Sequence, residues 1–185
     1  LGQQLIRRGL PVYALPLPCS FYGILENIIT LAGLVNAMAE GRKLCDRMLD
    51  RISALHSHSP AVRPKAHVEL WIDKDVRTIG GRSYVHDVVA MAGGGPLFGY
   101  RREGYLPLSK EILDAAANRK PEILLGYFEP QYPVDFHGLI RERGWDSPSP
   151  PRVIVSEMKR GKSLIHEGPS IIDTIEWLHR EIKGG

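Results

Sequence analysis

Apolar residues follow helical spacing in two stretches of the first third of the chain. Between Phe21 and Ala32 they recur every three or four positions, and Gly33 is placed to end that helix. A longer helix is predicted from about Ala37 to Leu55, where apolar and charged positions alternate along the helical period. A helix of ~20 residues spans about 30 Å, so the second one has the length to connect two lobes.

Short apolar runs and amphipathic stretches alternate elsewhere. Strands are predicted at Val12 to Leu15, His67 to Asp73, Ile123 to Leu125 and Arg152 to Val155, and helices at Arg82 to Met91, Ser109 to Asn118, Asp135 to Arg143 and from Gly168-Pro169 onward. A glycine-rich loop is expected from Gly93 to Gly104. The alternation predicts an α/β fold with a mainly parallel sheet and helices on both faces, a Rossmann-like lobe, plus the long backbone helix.

Composition narrows the classes of partner. The 185 residues carry 24 basic and 21 acidic side chains, a net charge of +3, and the basic residues form no sustained run interleaved with aromatics. Nucleic acid is therefore not an expected partner. No apolar run reaches the roughly 18 to 20 residues that span a bilayer. The start of the chain looks like a helix end capped by Gly9, which indicates that it begins in the middle of a fold.

Two cysteines leave two interpretations open. Cys19 and Cys45 could form a disulfide in an oxidising compartment. Their number and spacing match neither a disulfide scaffold nor a metal knuckle, so separate buried thiols fit better.

Glycine clusters suggest a nucleotide site, but their spacing does not support one. Neither Gly80-Gly81 nor Gly93 to Gly95 forms the dinucleotide fingerprint, and Gly161 to Ser163 is only the tail of a phosphate-binding loop. Turns and helix caps explain these glycines. Free N–H groups at the start of the Arg82 helix could still hold an anionic ligand group, with Arg82, Ser83 and Tyr84 as further donors.

The other reactive side chains give no catalytic pattern. No histidine pair has metal-ligand spacing, and His166 beside Glu167 comes nearest to it. The nucleophile motif G-x-S-x-G is missing. We therefore expect no catalytic residue, resident metal or cofactor.

Most aromatic side chains fall in predicted loops, at Tyr84, Phe98, Tyr100, Tyr105, Tyr127, Phe128 and Tyr132. At the carboxyl ends of parallel strands such side chains line the binding crevice, and an aromatic wall suits a flat corrin or porphyrin ring. The alternative is that these rings cover small cores beneath the loops.

Several short motifs occur in a defined order: Val68 to Ile72, Gly80-Gly-Arg-Ser83, Ala92-Gly-Gly94, Tyr105, Ser109-Lys-Glu111, Ile123 to Leu125 and Gly168-Pro169. This order resembles the C-terminal lobe of the helical-backbone (class III) substrate-binding proteins that feed ABC importers of cobalamin, haem and ferric siderophores. The resemblance implies a remnant of the N-terminal lobe at 1–36, a backbone helix at 37–58 and the C-terminal lobe at 59–185.

The resemblance also implies roles and partners. Glu111 is expected to dock on arginines of the ABC permease, and Tyr105 to pack on a metal-chelate ligand. The full expected set of ligand contacts is Arg82, Ser83, Tyr84, Tyr105, Tyr127, His166 and Glu167. Such a protein is extracytoplasmic, and the segment from Thr78 to Gly94 is closest to the cobalamin branch.

Two positions depart from the family pattern, which points to a different ligand. Gly95-Pro96 stands where the family usually has asparagine, and Ser170 where it commonly has arginine. The missing first lobe would expose a surface suited to self-association. The alternatives are a Rossmann-like nucleotide-dependent enzyme domain and a ligand-free interaction domain.

Overall fold

The computed structural model describes residues 2–56, 62–72 and 75–184. The elements are α1 (Gly2–Arg7), α2 (Phe21–Leu34), α3 (Met38–His56), β1 (Lys65–Glu69), β2 (Arg77–Ile79), α4 (Tyr84–Met91), β3 (Gly95–Pro96), β4 (Tyr105–Pro107), α5 (Lys110–Arg119), β5 (Ile123–Tyr127), α6 (Phe136–Glu142), β6 (Arg152–Ser156) and α7 (Ile171–Lys183). None of the helices in this part of the chain has the length and apolar character needed to cross a bilayer.

Four of the strands form one parallel sheet in the order β3-β1-β5-β6. A separate antiparallel pair joins β2 to β4, with Arg77 opposite Pro107 and Ile79 opposite Tyr105. Parallel strands need long crossovers, and helices supply them here. The α/β class with a mainly parallel sheet is thus confirmed.

The two-residue period of the strands divides their side chains between two cores. Ala66, Val68 and Leu70 face the core shared with α2, α3, α4 and α7. Leu124 and Val153 face the opposite core, which α5 and α6 cover. Both sheet faces are therefore buried, as the near-continuous apolar runs in β5 and β6 require.

Helices α2 and α3 form a hairpin that packs on the first of these cores. They approach so closely that a Cβ at Gly41 would collide with the side chain of Ala32. The hairpin is tied to the sheet layer at two points. The Phe21 N–H donates to Asp87 of α4 over 2.8 Å, and Arg51 of α3 pairs with Asp173 of α7 at 2.7 Å.

Most predicted boundaries agree with the structure. The long helix predicted from Ala37 to Leu55 is α3, Ser109 caps α5 by accepting from the Ile112 N–H, and Gly144 follows α6 in a left-handed conformation. Helix α2 passes the predicted stop at Gly33, and the left-handed residue is Asn36 instead. The predicted linker includes residues 57–61, and the predicted strand from His67 ends at Asp73; both parts lie outside the described residues.

The strand predicted at Val12 to Leu15 is wrong, because those residues form no regular element. Val12 and Leu15 are exposed, and no neighbouring strand of the described chain pairs with them. A strand needs a hydrogen-bonded partner, whatever its own pattern. The short strands β2, β3 and β4 lie in stretches where no strand was predicted.

Both cysteines are free, and they differ in exposure. Cys45 is buried in the core, where burial raises the pKa of its thiol, whereas Cys19 is exposed. The prediction of separate thiols is confirmed, but that of burial is wrong for Cys19, since it lies in an open segment before α2.

Candidate functional site

The carboxyl edge of the parallel sheet is the candidate binding face. After β1 the chain adds β3 on one side, and it later adds β5 on the other side of β1. A crevice opens at the carboxyl ends of strands where the winding reverses in this way, and ligands of α/β sheets bind there. The segments that leave β1, β5 and β6 at this edge supply the side chains considered below.

An aromatic pair stands at the end of β1. The rings of Trp71 and Tyr105 lie 5.6 Å apart between centroids, tilted by 58°, and both residues are half-buried. Trp71 has φ +53, a left-handed conformation that is uncommon for a residue other than glycine. Such backbone strain costs about 1–3 kcal/mol and clusters at binding sites. Burial also raises the pKa of Tyr105, so its hydroxyl stays neutral.

Tyr105 was predicted as a ligand contact, and Trp71 was missed. The pattern from His67 to Asp73 alternates like a strand, and Trp71 was therefore treated as an ordinary strand position. A tryptophan at the carboxyl end of a predicted parallel strand is the signal that could have found it.

Tyr84 occupies a supporting position. It is 3% exposed, and its hydroxyl donates to the Glu167 carboxylate over 3.4 Å. Burial and the nearby acid raise its pKa well above the usual value. A ring so deeply buried offers little surface to a ligand, but its hydroxyl holds the Glu167 carboxylate in place.

Tyr127 lies in the core. Its side chain is 0% exposed, and its hydroxyl has no hydrogen-bond partner among the described residues. Burial raises its pKa. Tyr127 was predicted as a ligand contact, and its position in β5 points it to the same core as Ile123 and Leu125.

The glycine turn before α4 has no free donors for an anion. The N–H groups of Gly80, Gly81 and Arg82 donate to Gly104, Arg101 and Glu103 over 3.0, 2.8 and 3.3 Å. A Cβ at Gly80 would collide with the Glu103 carbonyl, and one at Gly81 with the Gly99 carbonyl. The prediction of free N–H groups is therefore wrong for Gly80, Gly81 and Arg82, since a loop about 20 residues further along the chain already accepts from them.

The side chains of Arg82 and Ser83 in this turn also offer no ligand contact at a described cavity. The Ser83 hydroxyl is buried and accepts from the Val85 N–H as the cap of α4. Arg82 is exposed. Neither residue lines a described cavity at the sheet edge.

His166 and Glu167 are adjacent in sequence but face two different cavities. His166 lines a cavity of about 470 Å³ beside the start of α7. Glu167 lines a groove of about 680 Å³ bounded by α2 and α3. The structure therefore separates the two residues that the sequence suggested as a pair, and among the described residues no three His, Cys, Asp or Glu side chains gather as metal ligands.

The larger groove is mainly apolar. Residues 15–18 form one wall, α2 and α3 form the other, and residues 167–169 close one end; its members include Leu15, Leu17, Ile24, Ile28, Leu31, Ala32 and Leu44. A volume of this size accommodates a substantial organic ligand. Sequence reasoning missed this wall because it assigned Val12 to Leu15 to a strand.

Glu111 is exposed in the first turn of α5, directly after the Ser109 cap. It makes no ion pair within 4 Å of another described side chain. A carboxylate at this place is stabilised by the helix dipole and remains available to a cation from another molecule.

Comparison with solved structures gives the fold of the whole described chain. The periplasmic haem-binding protein HutB of Vibrio cholerae matches with a TM-score of 0.76 and 16% identity, over 97% of this chain and 70% of that one. The periplasmic haem-binding protein RhuT from Roseiflexus sp. RS-1 matches with a TM-score of 0.73 and 19% identity, over 96% and 70%.

A third structure, from an ABC-type Fe3+-hydroxamate transport system of Saccharomonospora viridis, matches with a TM-score of 0.72 and 17% identity. The match extends over 100% of this chain and 66% of that one. A search of curated protein sequences finds no match. The family model described as periplasmic binding protein matches residues 3–147, more than three quarters of the chain, and the protein therefore belongs to the periplasmic binding protein family.

Proposed function

We propose that the protein is the extracytoplasmic solute-binding component of an ABC importer and that it binds a metal chelate. The observation that carries the proposal is the family match over residues 3–147. Similar structures include two haem-binding proteins and one from an Fe3+-hydroxamate transport system. The role is one of binding and delivery, with no bond made or broken.

Two surfaces of the protein suit a chelate. The Trp71 and Tyr105 rings form a half-buried platform on which a flat macrocycle can stack. The apolar groove of about 680 Å³ can bury apolar surface of the ligand, although no aromatic side chain of the described residues lines it. Ring stacking adds about 0.5–1.5 kcal/mol beyond the burial of area.

Tyr84 and Glu167 serve to orient the ligand and add little buried surface area. The hydrogen bond from the Tyr84 hydroxyl fixes the carboxylate at the end of the groove. A positioned acid there can accept a hydrogen bond from an amide or hydroxyl group of the ligand. We assign Glu167 to ligand orientation and Tyr84 to its support.

The chain divides, in this proposal, into a remnant of the N-terminal lobe at 1–36, a backbone helix at 37–58 and a C-terminal lobe at 59–185. The 19 residues of α3 give it a length of about 28 Å. Its packing in the core shared with α7 and its ion pairs to α7 join it to the C-terminal part, as a strut between lobes requires.

Docking on the permease is assigned to Glu111. The carboxylate is exposed and makes no ion pair within the described residues, so an arginine of a membrane partner can approach it. The acid nearest in sequence, Asp114, pairs instead with Lys110 at 2.8 Å.

Exposed apolar side chains before residue 39 favour contact with a further protein surface. They include Ile6, Leu10, Tyr13, Leu17, Leu34 and Val35. Self-association of the 185-residue chain is accordingly part of the proposal. Sedimentation of the chain over a range of concentrations measures it, and a monomer at all concentrations would contradict it.

The experiment that tests the function is a titration with haemin, cobalamin and a ferric hydroxamate, followed by absorbance and by Tm. A ligand bound at 100 times its Kd stabilises the folded state by about 2.7 kcal/mol. Tyr105→Ala and Trp71→Ala should weaken binding, while Tyr100→Ala, an exposed tyrosine of the neighbouring loop, should not. Binding of none of the chelates, with a rise in Tm on adding a nucleotide, would instead support the Rossmann-like enzyme.

A further inference from the structure

The cavity beside the start of α7 differs in chemistry from the apolar groove. Its volume is about 470 Å³, and its polar lining comes from Lys159, Arg160, Ser163, His166, Ser170 and Thr174. Three of these side chains are basic, and three carry hydroxyl groups. Pro169 lines both cavities, so they lie next to each other.

The turn that presents Lys159 and Arg160 is held rigidly. The buried Ser156 hydroxyl donates to the Lys162 carbonyl over 2.9 Å and accepts from the Leu164 N–H over 2.9 Å. Gly161 takes φ +76, a left-handed conformation that allows the chain to reverse. The basic side chains therefore start from a fixed backbone, which lowers the entropy lost when they bind.

The acids near this cavity already have partners. Glu157 accepts from Lys162 over 3.3 Å, and Glu167 accepts from Tyr84. Asp173 is shared by two cations, since it pairs with Arg51 at 2.7 Å and with the cavity's own Arg160 at 3.6 Å. Within the described residues Lys159 has no ion-pair partner, so the cavity keeps an excess of positive charge.

Hydrogen-bond donors also remain open. Ser163 is 7% exposed, lines the cavity, and its hydroxyl has no hydrogen-bond partner in the part of the chain that the structure describes. Ser170 precedes the 13 residues of α7 and makes no side-chain capping bond. The His166 ring is held against the backbone of Gly168, where an added Cβ would lie 3.0 Å from Nε2.

We propose that this cavity binds a carboxylate of the metal chelate, so that the protein selects anionic chelates over neutral or cationic ones. The inference rests on the proposed function and adds the charge of its ligand. Hydroxyl groups, cationic side chains and helix starts are groups that bind carboxylates in proteins. The carboxylate belongs either to the side chain of a porphyrin or to a hydroxycarboxylate chelator.

The test uses haemin and its dimethyl ester, which share the ring and the iron and differ in the two carboxylates. We expect the unmodified protein to bind haemin at least about tenfold more tightly than the ester, because a hydrogen-bonded charge pair contributes that much. In the double variant Lys159→Gln, Arg160→Gln, haemin affinity should fall by about tenfold while ester affinity stays unchanged. Arg42→Gln, an exposed position on α3, is the matched control and should leave both affinities unchanged.

Ferric citrate identifies the second source of the carboxylate. Binding of ferric citrate that the double variant abolishes, without discrimination between haemin and its ester, supports the hydroxycarboxylate form of the proposal. Where ferric citrate does not bind, two results overturn the proposal: equal affinity of the unmodified protein for haemin and its ester, or an equal loss of haemin affinity and ester affinity in the double variant.

Binding of cobalamin or ferrioxamine alone would overturn the carboxylate proposal and leave the proposed function intact. Failure to bind any chelate would overturn the carboxylate proposal and the proposed function together.

Discussion

Glu69 of β1 and Arg143, which follows α6, form a two-armed ion pair beneath the parallel sheet. The Arg143 Nη2 donates to Glu69 Oε2 over 3.1 Å, and Nη1 donates to Oε1. His67 Nε2 lies 2.9 Å from the same Oε1, and Trp145 packs on both His67 and Arg143. A fully buried carboxylate is thus held by two partners.

Replacing this acid should destabilise the protein strongly. Glu69→Gln leaves the largely buried Arg143 without its counter-charge, and removal of one partner of such a pair costs about 3–5 kcal/mol. Denaturation in urea measures the change. Asp114→Asn, which removes an exposed pair with Lys110, is the control and should cost less than about 0.5 kcal/mol. Similar losses in both variants would contradict a structural role for the buried pair.

The same group should govern stability in acid. Burial raises the pKa of Glu69, but the bonds from His67 and Arg143 outweigh it, and the pKa falls below the ordinary value of 4.5. The ion pair therefore contributes stability above pH 4.5 and loses it as the pH falls through the folded pKa. The free energy of unfolding measured from pH 6 to pH 3 should decline more steeply in the unmodified protein than in Glu69→Gln.

Two buried tyrosines and one half-buried tyrosine should affect stability at alkaline pH. Burial raises the pKa of Tyr84, Tyr105 and Tyr127 above the ordinary value of 10.0. Their contribution to stability is complete below pH 10 and is lost as the pH rises towards their folded pKa values. Absorbance of tyrosinate near 295 nm should show a late group that titrates only as the protein unfolds. Ionisation of all tyrosines in one step near pH 10, without unfolding, would contradict the burial.

The glycine turn should not tolerate even one added methyl group. Gly80→Ala and Gly81→Ala place a Cβ against backbone carbonyls, which cannot rotate away as a side chain can. Overpacking of this kind costs about 1–3 kcal/mol. Gly2→Ala meets nothing within 4 Å and is the control, with an expected change within about 0.5 kcal/mol in a thermal melt.

Charge reversal at the docking position should separate transport from binding. Glu111→Lys is expected to reduce uptake of the chelate by reconstituted importer, because it replaces attraction to a cationic permease site by repulsion. The affinity for the ligand should not change. The control is Glu142→Lys, an exposed acid in the last residue of α6. Equal loss of uptake and affinity in Glu111→Lys would contradict docking.

The two thiols should react at different rates. Cys19 is exposed, whereas Cys45 is 8% exposed, and burial raises its thiol pKa. Since the thiolate is the reactive form, Ellman's reagent should label one thiol rapidly and the other only slowly until denaturant is added. The variant Cys19→Ser should lose the fast phase. A fast phase that survives in Cys19→Ser would place Cys45 at the surface.

Local patterns were enough to predict the parallel layer. The apolar run of β5, the serine that caps α5 and the glycine after α6 each act within a few residues, and the structure contains all three features. The antiparallel pair β2–β4 was not predictable in this way. Each of its strands has three residues, too few for a period of two to show.

The candidate site was less predictable because its contacts join distant segments. Nothing near Gly80 in the sequence indicates that the loop 99–104 accepts its N–H groups. Tyr127 is different, since it continues the alternation of Ile123 and Leu125 in β5. Because alternate residues of a strand face the same side, Tyr127 points to the core with Ile123 and Leu125, and the sequence alone provides a reason not to expect it at a ligand.

The crossing of backbone at Gly80 and Gly81 has a consequence for recognising related proteins. Its geometry does not depend on the solute that is bound. Both glycines are fixed by contact with the loop 99–104, and neither lines a cavity described above. A chain that preserves this crossing has to retain both glycines even after its pocket has been remodelled for another solute. The motif therefore reports the architecture of the lobe, whereas the proposed function assigns specificity to the half-buried tryptophan after β1 and to the basic turn after β6.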